Sequence, residues 1–420
     1  MSAQSALEVA AGQPDPWSMS LETLDVSKAE YFKNDWHGEF FRRLRAEAPV
    51  HYCPASDHGP YWSITKFNDI VAVETNPQVF SSQGNIVIGD APADFNPPMF
   101  IAMDAPKHDH QRRAATPAVA PKQLSDMENL IRQRAGAILD SLPIGEEFDW
   151  VQKVSIELTT QMLATLFDFP FEDRHLLPYW SDIAATGEQT GRPDITQEYR
   201  ETELLKCLEY FMRLWQERAG QDDPNFDFIS LMANNPDTKD MINDPLEFLG
   251  NLMLLIVGGN DTTRNSMSGG IVHLNRNRGE FAKLKADPSL VTNMVSELIR
   301  YQTPLGHMRR TALEDIDFKG HKIKKGDRVV MWYVSGNRDD EVIENPDAFI
   351  IDRENARHHV SFGFGIHRCM GNRMAEMQLR VLWEEILKRF SDIELVGEPQ
   401  RVESNFVMGW ESVPVIVHKK

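Results

Sequence analysis

The sequence predicts a mainly α-helical fold with a smaller β-rich part. Three observations carry this. Residues 122 to 215 repeat apolar positions at helical spacing with few breaks. A second helical pattern runs from Asp244 to about Asn275, roughly thirty residues or about 45 Å. Short apolar or alternating runs bounded by turn residues lie near 50–64 and again between 317 and 333.

In chain order, residues 1 to about 35 are expected to form a poorly ordered extension, with Gly12, Pro14 and Pro16 as breakers. Trp36 to Ala46 reads as an amphipathic helix. Val50-His51-Tyr52 and Tyr61 to Ile64 read as strands around a turn at Asp57-His58-Gly59-Pro60, and Asn68 to Glu74 as a further helix. Ser81 to Met99 is a long loop, a length that usually signals function or disorder. Asp104 can cap the next helix, with Pro106 in its first turn. His108 and Arg112 then share a face one turn apart, able to grip a carboxylate or simply to face solvent.

Within 122–215 the helical pattern breaks at Leu142 to Gly145, at Pro170 and from Thr186 to Pro193; Gly220 to Asn225 is a polar turn. Asp244-Pro245-Leu246-Glu247 combines an N-cap, a proline at the first position and an acid at the third, a strong helix start. The run that follows is apolar until Gly258-Gly259-Asn260-Asp261-Thr262-Thr263, poor helix formers in an interior. That stretch is either a packing notch or a local distortion opening a groove, with an acid and a hydroxyl beside it. Glu297 and Arg300 lie at i,i+3, a spacing that suits a surface pair. Strands are expected at 317–318, 321–323 and 327–333, and a turn and strand between Ser404 and Val417.

Composition narrows the function. The net charge of −19 makes nucleic acid an unlikely partner. Cys53, Cys207 and Cys369 are too few and too scattered for a disulfide framework, a zinc site or a four-thiolate cluster. Met1 to Trp17 lacks the features of a signal peptide, and Leu252 to Val257, the longest strongly apolar run, is too short to span a bilayer. The expectation is a soluble, cytoplasmic protein.

The chemistry concentrates at Phe362-Gly363-Phe364-Gly365-Ile366-His367-Arg368-Cys369-Met370-Gly371. An amphipathic helical run follows from Asn372, so Cys369 sits at or just before a helix N-terminus, which favours a thiolate. Gly363, Gly365 and Gly371 let backbone approach a large flat object. A buried free cysteine and a catalytic nucleophile are the other readings of a lone cysteine. The spacing Phe-x-x-Gly-x-x-x-Cys-x-Gly resembles the haem-ligand signature of the cytochrome P450 superfamily.

That resemblance implies haem b with Cys369 as its iron ligand, and Phe362, Gly365 and Gly371 around it. Gly258-Gly259-Asn260-Asp261-Thr262 is similar to the family's distal-helix motif. There Gly258 and Gly259 make room for dioxygen, Thr262 hydrogen-bonds the oxygen being cleaved and Asp261 feeds protons. His108, Arg112, Arg310 and His367 match propionate-binding positions, and His359 is a further candidate. Glu297, Arg300 and Arg353 match a structural Glu-Arg-Arg triad. Motifs near 108, 262, 310, 367 and 369 must meet at one cofactor, so residues 36–420 are expected to form a single haem-thiolate monooxygenase domain.

Four stretches look like the bacterial alkane and fatty-acid terminal hydroxylases: Phe100 to Asp104, Leu255 to Ser266, Val329 to Tyr333, and His367 to Arg373. This implies terminal hydroxylation of an apolar chain in a narrow channel. Ile86, Val87, Ile88, Ile256, Val257, Leu305, Phe406, Val407 and Met408 are candidate walls, each also a plausible core residue. No flavin or nicotinamide motif is visible, so electrons are expected from a ferredoxin and ferredoxin reductase, docking at a basic patch of Arg113, Lys122, Arg368 and Arg373. A hydroxylase of bulkier terpenoids or steroids, a haem-binding sensor or carrier, and a thiol-nucleophile enzyme are the alternatives.

Overall fold

The computed structural model describes residues 12–90, 95–185, 195–221 and 225–420. The expected breaks at 186–193, residues 222–224 of the turn at 220–225, residues 91–94 of the long loop and the first eleven residues lie outside them. Helices dominate, and the β-structure is confined to small sheets. The helix Pro245–Arg276 runs through the largest core cluster, 32 residues long. It packs against the helices Glu157–Leu166, Leu176–Ala185, Val291–Gln302 and Asn372–Arg389. Its start follows the sequence signal, since the Asp244 side chain accepts from the Glu247 N–H.

A five-stranded sheet forms the main β-part, in the order Val50–Cys53, Tyr61–Ile64, Arg328–Met331, Met308–Ala312, Phe80–Ser81. Its pairings are antiparallel except between Tyr61–Ile64 and Arg328–Met331. A smaller sheet pairs Pro414–Lys419 with Glu147–Asp149 and Phe390–Leu395.

Three expectations change. Residues 16–35 are not a loose extension. Leu24, Val26, Tyr31 and Phe32 are buried in a cluster with Phe40, Phe41, Leu44 and Trp332, and Pro16 opens a short 3-10 turn. Apolar side chains at those positions outweigh the nearby breakers. Asp104 does not cap the helix Lys107–Ala115; its carboxylate accepts from Ser81 Oγ and the Ser82 N–H, tying that helix's approach to the sheet edge. The strand expected over 327–333 ends at Met331, and Tyr333–Gly336 forms a helical turn.

Candidate active site

The loop before the helix Asn372–Arg389 is folded by its glycines. Gly363 and Gly365 both have φ of 65°, a region that favours glycine. A 3-10 turn, Gly365–His367, follows, and the Cys369 N–H donates to the Phe362 carbonyl at 2.8 Å. Gly371 is the helix N-cap. This brings the Cys369 side chain to the wall of a cavity, while Cys53 and Cys207 are buried elsewhere. Desolvation raises the Cys369 thiol pKa, against the N–H groups of Gly371 and Asn372 and the charges of Arg112 and Arg368. The N–H groups at the helix terminus favour the thiolate, as the sequence reading expects, and a coordinating metal cation would favour it further.

The opposite wall belongs to the long helix. Leu255, Gly258, Gly259, Thr262, Thr263 and Ser266 line the cavity, spaced i, i+3, i+4, i+7, i+8 and i+11. The helix stays continuous here, without the distortion the sequence allowed. The opening comes from Gly258, where an added Cβ would meet nothing within 4 Å; at Gly259 it would meet Leu163 Cδ1 at 3.0 Å. Gly259 thus serves helix packing as well as the cavity. Thr262 Oγ1 donates to the Gly258 carbonyl at 3.1 Å.

Asp261 is not a wall residue. It is buried on the neighbouring face, 3.0 Å from Arg264, and accepts from Ser181 Oγ and Asn260 Nδ2. Burial raises its carboxyl pKa, against the pull of Arg264. Arg264 also pairs with the surface residue Asp182 at 3.2 Å, so the network reaches solvent.

One edge of the cavity collects basic groups, of which Arg310 meets Glu74 at 3.6 Å and His108 meets Asp109 at 2.7 Å. Arg112, Arg310 and His367 line it, and His108 packs behind them with its ring 4.2 Å from that of His367. His108 Nε2 and both His367 ring nitrogens are buried without hydrogen-bond partners; a contact of His367 with the Met103 backbone does not reach hydrogen-bond geometry. Burial, then Arg310, His108 and Arg112, push the His367 pKa down to about 2. The unpartnered ring nitrogens are costly to bury unless a further polar group meets them. His359 is not in this group. It lies behind the loop, its Nδ1 accepting from the Ser361 N–H, and burial lowers its pKa to about 3. Gly365 is likewise off the wall, whereas Phe362 and Gly371 are on it.

The expected triad is assembled below the site. Arg300 Nε lies 2.7 Å and Arg353 Nε 2.9 Å from Glu297 Oε2, and Arg300 also donates to the carbonyls of Asn337, Pro346 and Ala348. Glu297 and Arg300 are fully buried, not a surface pair.

Among the proposed channel residues, Leu305 lines the cavity. Ile86, Val87, Ile88, Ile256, Val257, Phe406, Val407 and Met408 do not. Ile256 is buried in the main core, off the helix stripe; Ile88 and Met408 are buried in the N-terminal cluster; Ile86 and Phe406 pack on the sheet. Phe100, Ile101, Leu166, Phe228, Leu254, Leu255 and Met308 are walls that the sequence reading missed. Leu255 and Ser266 were findable, because they continue the stripe through Gly258 and Thr262. Leu166 and Phe228 carry no local signal, since only tertiary packing brings them here.

A thiol on one wall, a glycine-opened helix opposite, and Arg112, Arg310 and unpartnered imidazole nitrogens at one edge fit a flat macrocycle with acidic side arms. Known proteins agree. A cytochrome P450 family profile matches residues 194–415. Linalool 8-monooxygenase of Pseudomonas putida is 35% identical, covering 95% of this chain and 100% of its own. The solved cytochrome P450-153 from Novosphingobium aromaticivorans is 45% identical, with a TM-score of 0.87 over 96% of this chain and 100% of its own. CYP153D17 from Sphingomonas sp. PAMC 26605 is 48% identical, with a TM-score of 0.88 over 94% and 98%. No helix among the described residues is long and apolar enough to cross a membrane. Sequence likeness over nearly the whole chain and a cavity suited to haem lead to one conclusion: this chain belongs to the cytochrome P450 family, whose cofactor is haem b held by a cysteine thiolate.

Proposed function

We propose that this P450 hydroxylates the terminal carbon of medium-chain alkanes or fatty acids, using dioxygen and electrons from a ferredoxin. One observation carries the reading. The four stretches that resemble terminal hydroxylases lie far apart in sequence, and each supplies wall residues to the same cavity: Phe100 and Ile101; Leu255, Gly258, Thr262 and Ser266; Tyr333; His367, Cys369, Met370 and Gly371. The likeness is therefore concentrated where substrate and cofactor would sit.

Haem b supplies the oxidising chemistry when bound, with Cys369 as its thiolate ligand. The chain's residues do the rest. His108, Arg112, Arg310 and His367 would hold the propionates. Asp261 would hold a proton between the surface carboxylate of Asp182 and the Thr262 hydroxyl on the wall. Glu297, Arg300 and Arg353 would fix the segment before the loop. A terminal methyl C–H is stronger than its methylene neighbours, so apolar walls such as Leu305, Phe100 and Leu255 must present the chain end first. Arg113, Lys122, Arg368 and Arg373 are exposed, the last two beside Cys369 in sequence, and would suit an acidic ferredoxin.

A bulkier terpenoid substrate is the second reading, favoured by the identity with linalool 8-monooxygenase. Product analysis separates them. The holoenzyme, supplied with ferredoxin, reductase and NADH, is offered octane, dodecanoic acid and linalool. Mostly terminal alcohol or ω-hydroxy acid is the expected result. Subterminal products, or turnover of linalool alone, would overturn it.

A further inference from the structure

We infer that Glu74 is a positioning residue for the haem: a buried carboxylate that braces the cysteine loop and shares Arg310 with a haem propionate. It ends the helix Phe67–Glu74 and lines the cavity, 4% exposed. Three donors from separate elements converge on it. The Phe364 N–H reaches Oε2 at 2.5 Å, the Tyr333 hydroxyl donates to Oε1, and Arg310 Nη2 lies 3.6 Å from Oε1. Tyr333 and Arg310 are each 3% exposed, so the group is out of water.

The loop glycines give independent support. A Cβ on Gly363 would sit 3.2 Å from Glu74 Oε1 and 3.3 Å from the Tyr333 hydroxyl; on Gly365 it would sit 2.2 Å from the Glu74 carbonyl. Two glycines of the cysteine loop are thus shaped around Glu74. Gly365, which does not face the cavity, is explained by this contact.

The electrostatic consequence follows. Arg310 has donors beyond those used on Glu74 and the Arg309 carbonyl, so it can meet a second carboxylate at the cavity edge. Burial raises the Glu74 carboxyl pKa, against Arg310, the Tyr333 hydroxyl and the Phe364 N–H; ionised on these partners, Glu74 puts a negative charge beside the haem edge and draws on part of the Arg310 charge. A negative charge in a dry site disfavours adding an electron to the iron. Glu74 would therefore hold the reduction potential down as well as holding the loop in place.

This rests on the haem site and not on the substrate, so the test uses substrate-free holoenzyme. Spectroelectrochemical titration gives the midpoint potential, and haem transfer to apomyoglobin gives retention. Glu74→Gln keeps an acceptor for the Phe364 N–H, with its NH2 able to donate to the Tyr333 oxygen, but removes the charge; its midpoint should move positive. Tyr333→Phe keeps the charge; its midpoint should stay or move negative, with haem transfer several-fold faster. An unchanged midpoint in Glu74→Gln, with or without faster haem transfer, would reduce Glu74 to a structural brace and overturn the proposal. A positive shift in both variants would overturn it too, because loop loosening rather than charge would then be the cause.

Discussion

The loop Phe362–Gly371 and the wall around Leu305 face the same cavity, but they are assembled differently. The turns of the loop are local, though Glu74 braces them from a distant helix. The loop's glycines, its hydrogen bond from the Cys369 N–H to the Phe362 carbonyl and the helix that follows lie within a few residues of one another. The wall is a tertiary object. Phe100, Leu166, Phe228, Leu255 and Leu305 come from distant segments and meet only in the fold. Changes in the loop should thus abolish a spectroscopic state, and changes in the wall should only tilt a product ratio.

The largest effect is expected at Cys369. Cys369→Ala should remove the thiolate signature of the reduced carbon-monoxide complex and all hydroxylation, with the far-ultraviolet circular dichroism unchanged. The side chain faces the cavity and contributes little packing. A surviving thiolate band would mean that the loop has been misread.

Next is the support beneath the loop. Arg300 is fully buried and bonds Glu297 and three carbonyls. Arg300→Met would leave Glu297 short of a partner and several acceptors unmet, a loss of about 3–5 kcal/mol. Denaturant unfolding measures it. A loss below about 1 kcal/mol would show that the Arg353 contact suffices and that the triad is redundant.

The contrast also explains what could be read from sequence. The Cys369 loop, the Asp244 cap and the spacing of Glu297 and Arg300 are short-range patterns, and their residues meet as the spacing implies. Asp104 misled because a capping acid looks the same when it serves a sheet edge. Pro14 and Pro16 misled because breakers say nothing of the apolar side chains behind them. His359 lies near the loop in sequence yet faces away. Ile256 and Val257 were chosen for being apolar, although the stripe through Gly258 and Thr262 passes through Leu255 instead.

Asp261 stands between the two regions, on the wall helix but off the wall. Asp261→Asn keeps the hydrogen bonds from Ser181 and Asn260 in reach and removes the acid. As a proton source it should slow product formation about 100-fold, with haem content and substrate affinity unchanged. Steady-state turnover and a substrate-binding difference spectrum check this. Turnover at the wild-type rate would confine Asp261 to pairing with Arg264.

The smallest effect is the most specific. Leu305 lines the cavity, whereas Ile256 is fully buried in the core and off the cavity wall. Each can lose one methylene. Ile256→Val should cost about 0.5–1.5 kcal/mol of stability and leave the ratio of terminal to subterminal product alone. Leu305→Val, partly buried beside the cavity, should barely change stability. It removes one methylene of contact with the chain end, about 0.8 kcal/mol. If that contact orients the terminal carbon, the ratio should fall about fourfold, the factor this energy corresponds to. Gas chromatography of octane products resolves a change of that size. The reverse pattern, with the ratio responding to Ile256 and not to Leu305, would put the channel on the other side of the long helix.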